Sequence, residues 1–531
     1  MCLLHSGQMP KSPVLLALAS LLLSVSLSAQ QHARDAEIVS QTKDPDTLAW
    51  WHTTEALSND AMEGRDTGTA AYQRAADYVA TRFKQAGLQP AGDSGTYFQT
   101  VPMHEVAVDP AATSFALIRN AGGETPIAFL QQITLAPATN IPAETLAPLT
   151  FRGYCGQDSM QDIAGKIVVC FGTQRQGLPS GGERVANARA GRALGLINVD
   201  DPFFTIEPPR WPYAYARTVA LGPPPPQPSS LHGLLVMRMD STLLASFLQG
   251  TQKDASAILA AGGHKQPLPS FEIPAKLRVH LKTTQRTYSS PNILAVLPGS
   301  DPVLKNQYIV IAAHLDGYGF GTPVLGDNLY NGALDDAAYV ALLIQFAGDL
   351  HAHPQPLKRS VLFCAFTGEE KGLLGSTYFV AHPTIPIPEL AADINLDQLR
   401  PLFPLHILTA LAVDDTTLGA SARQVGASMG IEIRPDREPE RGLLRRADHA
   451  PFLRAGVPAI GFIFGYDPGT DAEKRYRTWY QIQYHRPQDD LTQPIDFAAA
   501  AKFDHFFYTL TETLANDPTR PSILPNSPLA K

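Results

Sequence analysis

The sequence predicts an α/β fold, a mostly parallel (mixed) sheet with helices on both faces, carrying an inserted β-rich module. Three observations predict it. Beyond about residue 290 short apolar runs alternate with helical stretches, the pattern of a sheet covered on both sides. From about 135 to 280 strand-like segments such as "KIVVCFG" and "GLINVD" dominate, with few helices between them. The 531 residues are 44% hydrophobic and only 17% charged, enough apolar material for two or three domains.

Residues 1–29 read as an export signal: Lys11, an apolar stretch from Val14 to Leu27, then small residues ending at Ala29. Polar sequence follows closely, so the stretch predicts no stable membrane insertion once the signal is removed, and a secreted or periplasmic location; an uncleaved anchor is the alternative. Residues 30–135 form the first part of the main domain, opening with an amphipathic helix over 70–86, where Ala71, Ala75, Tyr78, Val79, Phe83 and Ala86 recur at helical spacing before Gly87. "GDSG" (92–95) reads as a turn. The inserted module spans 136–280 and holds the tract "GPPPPQPSS" (222–230), which reads as an extended loop. The main domain resumes over 281–520 with strands at 308–313, 360–366, 391–396 and 458–464, and a helix over 335–350; residues 521–531 form a tail.

A formal charge of -8 leaves no basic patch for nucleic acid. Four cysteines are present. Cys2 leaves with the signal; Cys155 and Cys170 lie on two candidate neighbouring strands, where an oxidising compartment permits a bond but does not require one. Cys364, inside an apolar strand, reads as a small buried hydrophobe.

In open α/β sheets ligands bind beyond the carboxyl ends of the strands. His314 and Asp316 follow the first of these strands, Glu369 and Glu370 the second, and Asp397 the third; Asp335 opens the helix, and "YHRPQDD" offers His485 near the chain's end. Taken singly, an H-x-D or an E-E pair is as easily a solvated loop as a site. Two imidazoles and these carboxylates gathered at one sheet edge are different, because their uncompensated negative charge calls for divalent cations. Nitrogen and oxygen donors without thiolate suit zinc, with manganese or cobalt as alternatives.

The segments "AAHLDG" (312–317), "NGALDDAAYVA" (331–341), "FTGEEKGLLGS" (366–376), "NLDQ" (395–398), "RRADHAPFLRAGVPA" (445–459) and "YHRPQDD" (484–490) carry a resemblance. In order and spacing they resemble the co-catalytic dizinc aminopeptidase family, which also holds glutamate carboxypeptidase II and the glutaminyl cyclases. Residues 57–99 look like the family's opening segment, and the β-rich module resembles its inserted protease-associated domain by pattern and position. The resemblance implies two Zn2+ ions per chain, one held by His314 and Asp397, the other by Glu370 and His485, with Asp335 bridging. Glu369 would then take the proton from the attacking water. It further implies Tyr484 as an oxyanion donor, Asp316 as the acceptor that orients His314, and Asp489 in the same role for His485.

Departures from the family pattern are Ala338-Tyr339 where small Ser-Gly is usual, Asp336 where asparagine is common, and Gln398 after Asp397; they bear on substrate preference more than on the reaction. The resulting expectation is a metallo-exopeptidase that removes N-terminal residues from peptide substrates. Alternatives within the family are a carboxypeptidase or dipeptidase, favoured if Arg445 and Arg446 bind a substrate carboxylate, and a glutaminyl cyclase. A receptor-like binding ectodomain is the non-enzymatic alternative. Asp448 and His449 read either as a helix cap or as support beneath the metals.

Overall fold

The computed structural model describes residues 31–224 and 233–530. The signal segment 1–29 and residues 225–230 of the proline tract lie outside the described residues. Two large sheets organise the chain. The first has ten strands, with the order Glu432–Pro435, Ile407–Leu411, Ala459–Phe464, Leu390–Leu396, Tyr308–His314, Ser360–Phe366, Thr283–Leu297, Phe98–Val108 and Arg217–Leu221, and the two-residue Gln89–Pro90 pairing with Thr283–Leu297. Its centre is parallel: Ala459–Phe464, Leu390–Leu396, Tyr308–His314 and Ser360–Phe366 run side by side in one direction. The remaining ladders on the Thr283–Leu297 side are antiparallel, so the sheet is mixed.

The central strands are mostly apolar because both faces are covered, with Asp393 and Asn395 the polar exceptions in Leu390–Leu396. Every residue of Ser360–Phe366, of Leu390–Leu396 and of Ala459–Phe464 is buried. The covering helix Ala338–Ala352 is hydrophobic nearly all round and buried along most of its length, as a helix enclosed by sheet and neighbouring helices must be. The expected start of that helix at 335 is corrected: Ala333–Ala337 form a wider turn, and the regular helix begins at Ala338.

A second correction concerns the beginning of the domain. The amphipathic helix is found as Ala70–Gln85, but it is preceded by the helix Pro45–Ser58, capped by the Asp44 side chain. Periodicity does not reveal this helix because it buries several faces at once, with Trp50, Trp51, Thr54 and Leu57 all enclosed.

The second sheet has eight strands between Ser114 and His280, in the order Glu124–Ile127, Ser114–Arg119, Ser270–His280, Glu144–Arg152, Ile167–Phe171, Gly195–Val199, Leu235–Met239 and Ile133–Ala136. It therefore takes in strands from Ser114 onward, some twenty residues before the expected boundary at 136. Sequence patterning sets that boundary late because strands of both sheets alternate there in the same way. Cys155 and Cys170 are joined in a disulfide, and Cys364 is a free, buried thiol. Among the described residues no helix is long and apolar enough to cross a membrane.

The units are interlocked. Arg217–Leu221 leaves the second unit to pair with Phe98–Val108 of the first sheet, and Arg217 grips Asp66 through two bonds of 2.6 Å. Beside Asp66, Arg65 is fully buried and donates to the carbonyls of Leu57, Leu315, Asn331 and Gly332 at 2.8 Å each. Burial pulls its pKa down to about 10, against the charges of Asp489, Asp316, Asp336 and Asp335. Replacing Arg65 with Met is expected to lower unfolding free energy by at least about 3 kcal/mol, since each carbonyl left without a donor costs about 1–3 kcal/mol. Urea denaturation measures this, and an unchanged midpoint would contradict it.

Candidate metal centre

The parallel strands deliver their donors to one edge. The strand Tyr308–His314 ends on His314 itself, Ser360–Phe366 is followed by the turn Thr367-Gly368-Glu369-Glu370, and Asp397 directly follows Leu390–Leu396. The Glu turn needs Gly368 at φ +67, where a Cβ would stand 3.1 Å from both Leu374 Cβ and Met103 Cε.

Asp335 is the hinge of the arrangement. Its Oδ1 faces His314 Nε2 at 3.2 Å, and its Oδ2 faces His485 Nε2 at 3.3 Å. Glu370 Oε2 lies 3.3 Å from the same His485 nitrogen, and Glu369 Oε2 lies 3.9 Å from His314 Nε2. Three overlapping groups of potential ligands result: His314, Asp335 and Asp397; Asp335, Glu370 and His485; and His314, Glu369 and Glu370. Asp335 belongs to the first two, so one carboxylate faces two histidines with opposite oxygens. Asp335 Oδ2 and Asp397 Oδ1 are buried and have no hydrogen-bond partner, which is how donors awaiting a cation look. The residues present fit divalent-cation binding, and N/O donors of this kind suit zinc.

The electrostatics agree. Burial, then repulsion from neighbouring carboxylates, raises the Asp397 carboxyl to about 6 and pushes Glu370 well above its ordinary range. Burial also drives Glu369 upward, opposed by His314 and reinforced by Asp397 and Glu370. Burial brings His485 down to about 4 although Asp335 favours its charged form. So many acids in a dry site demand either protons or cations.

The surrounding bonds correct two sequence expectations. Asp316 does not orient His314 through its carboxylate, which is 3.9 Å away; His314 Nδ1 instead faces the Asp316 main-chain carbonyl at 3.0 Å. The carboxylate is occupied elsewhere, accepting from Glu369 N at 2.9 Å and from the Thr67 hydroxyl at 3.0 Å. Asp489 likewise does not reach His485. It lies under the turn that carries Asp335, accepting from the backbone N–H of Leu334 and of Asp335, both at 3.0 Å, and from Gln493. The partner of His485 Nδ1 is the Tyr318 hydroxyl at 2.9 Å, from a residue just outside the "AAHLDG" motif.

Tyr484 is buried, with its ring 3.7 Å from that of His485, and its hydroxyl accepts from Arg446 at 3.4 Å. Asp336, one of the departures from the family pattern, ties two strand ends together by accepting from His314 N and Gln398 N. Gln398 in turn accepts from the Tyr480 hydroxyl, and the Tyr339 ring packs on Phe503. Asp448 stands at the N-cap of the helix His449–Arg454, but its side chain makes no capping bond; it is buried and accepts from the Ser376 hydroxyl, while His449 faces the Leu444 carbonyl. Arg445 is exposed, whereas Arg446 forms a two-bond pair with Glu207 from the second unit.

Beside the acids is a cleft whose lining also includes the apolar residues Leu411, Leu443, Phe462 and Ile463. Fold and donor set together define a domain of the metallopeptidase class. Residues 292–511 match the family described as Peptidase family M28. Leupeptin-inactivating enzyme 1 of Streptomyces exfoliatus is 27% identical over 252 residues, covering 45% of this chain and 53% of that protein. The chain thus matches about half the length of this curated relative. Among solved structures, the aminopeptidase from Aneurinibacillus sp. strain AM-1 superposes with a TM-score of 0.58 at 18% identity, covering 92% of this chain and 98% of that one. The zinc aminopeptidase from Bacillus subtilis gives 0.54 at 20% identity over 90% and 98%. At these identities the two structures establish the fold.

Gly368→Ala forces a left-handed backbone on a residue with a Cβ, a cost of about 1–2 kcal/mol. It is expected to lower thermal stability and to shift Glu369, read as a lower melting temperature together with weakened divalent-metal binding in calorimetry. Wild-type values for both would show that the turn tolerates the side chain.

Proposed function

We propose that the protein is an exported zinc aminopeptidase that hydrolyses N-terminal residues from peptides, with two cations per chain. The observation that carries this reading is Asp335, one buried carboxylate facing His314 and His485 with its two oxygens. His314 and Asp397 would hold one zinc, Glu370 and His485 the other, and Asp335 both. Bound zinc supplies Lewis-acid polarisation of the scissile carbonyl and acidifies water.

The chain's own groups do the rest. Glu369 takes the proton of the attacking water on its carboxylate and returns it to the leaving amine. Asp316 keeps Glu369 in place by accepting its backbone N–H. The Tyr484 hydroxyl donates to the oxygen that becomes negative; Arg446 stands beside it and favours that charge. Asp489 fixes the turn of Asp335 from below. The apolar part of the cleft lining suits an uncharged side chain at the N-terminal residue. The names of the relatives support exopeptidase chemistry, and the Cys155–Cys170 bond supports an oxidising compartment.

Glu369→Gln should lower kcat on aminoacyl p-nitroanilides by at least about a hundredfold, the loss expected of a general base, while zinc content stays near two per chain. Near wild-type turnover would remove Glu369 from this role. His314→Ala should lose metal, and full occupancy in that variant would refute the ligand set. Chelation should abolish release and zinc should restore it; zinc-loaded protein that releases nothing from any free-amine substrate would favour the carboxypeptidase or cyclase alternatives.

A further inference from the structure

Lys371 follows Glu370 directly, and its side chain is buried. Three acceptors from three parts of the chain meet its ammonium: the Tyr215 hydroxyl of the second unit at 2.9 Å, the Gly317 carbonyl at 3.1 Å and Asp66 Oδ1 at 3.3 Å. An ammonium has three N–H donors, so all are used and the group has one place to stand. It also lies against two tyrosine faces, 5.4 Å from the ring centre of Tyr215 and 5.1 Å from that of Tyr318, and these two rings stack at 5.5 Å. Arg217 covers Tyr215, its Cζ 3.7 Å from the ring centre, and shares Asp66 with Lys371.

This clamp supports both donors on one side of the metal centre. Glu370 is reached through the main chain, and His485 through Tyr318, whose hydroxyl faces His485 Nδ1 at 2.9 Å. Glu370 has little else to hold it. The Glu369 amide is fixed by Asp316, whereas among the described residues the Glu370 carboxylate has only His485 as an ionic partner, at 3.3 Å. The donors on the other side are placed by the sheet: His314 ends a buried strand with its Nδ1 facing the Asp316 carbonyl, and Asp397 directly follows the strand paired beside it. A ligand that is not held ready binds its cation less tightly, so the two sides differ in what they depend on.

We propose that Lys371 is a positioning residue through which Tyr215, from the second unit, sets the Glu370–His485 half of the metal centre, while the sheet alone sets the His314–Asp397 half. Cation binding by Glu370 and His485 then depends on the second unit being docked, and cation binding by His314 and Asp397 does not. The division into two halves rests on the two-cation reading given above.

Zinc titration of the metal-stripped full chain against a competing chelator tests this. Wild type should show two binding events. Lys371→Met, which keeps the stem and loses the donors, should weaken one event at least about tenfold and leave the other within about threefold, the size of loss expected when the support behind a metal ligand is removed. Tyr215→Phe keeps the ring and loses only the hydroxyl; it should weaken the same event by a smaller factor, and the double variant should match Lys371→Met alone. In a Glu370→Ala background, where only the His314–Asp397 half remains, Lys371→Met should leave the remaining event unmoved. Two events that weaken together, or not at all, in both single variants would overturn the assignment, as would weakening of the remaining event in the Glu370→Ala background. A single event in the wild type would overturn the two-cation reading and the division with it.

Discussion

The structure is governed by one electrostatic constraint: a cluster of acids must sit together, nearly dry, at the edge of a parallel sheet without the edge coming apart. Three of the carboxylates are therefore tied to the main chain. Asp316 holds the amide of Glu369, Asp489 holds the amides of Leu334 and Asp335, and Asp336 holds those of His314 and Gln398. Beneath them Arg65 supplies a buried positive charge and closes the carbonyls of the same loops. The acids that support the loops and the acids left free for metal are thereby sorted by backbone hydrogen bonding.

The second unit takes part in this sorting. Lys371, next to Glu370, donates to the Tyr215 hydroxyl at 2.9 Å and lies 3.3 Å from Asp66, which also carries Arg217. Glu207 clamps Arg446 against Tyr484 from the other side. A segment of about fifteen residues, from 207 to 221, thus reaches the metal centre from the module and forms part of its wall, so the module is a component of the site as well as a neighbour to it.

Much of this was legible in the chain. The strand ends marked His314, Glu369, Glu370 and Asp397, because a buried apolar run that stops on charged residues in a parallel sheet points to the carboxyl edge, where ligands bind. Asp335, at the opening of a helix, and His485, in a polar run, could be picked out as candidates, but their assignment to particular metals came from the resemblance, since neither ends a strand. Asp316 and Asp489 depart from their expected roles for a common reason: motif spacing says which residues are near a histidine, whereas backbone donors only a few ångströms away decide where a short carboxylate points. Arg65, Tyr318 and Glu207 belong to no motif. For Arg65 a signal existed in the polar "EGRDTG" run between two helices. For Glu207 there was none, because its value comes from a contact with a residue more than two hundred positions away.

The strand Arg217–Leu221 has a consequence for the life of the chain outside its native state. It lies along Met103 to Ala107 of Phe98–Val108, an eleven-residue strand with buried residues at most alternate positions. Without that cover the longer strand would offer a free row of amides and carbonyls to any like chain in reach. A molecule that lost this strand would lay bare the backbone groups of Met103 to Ala107, an edge that charge, proline or truncation would have to blunt.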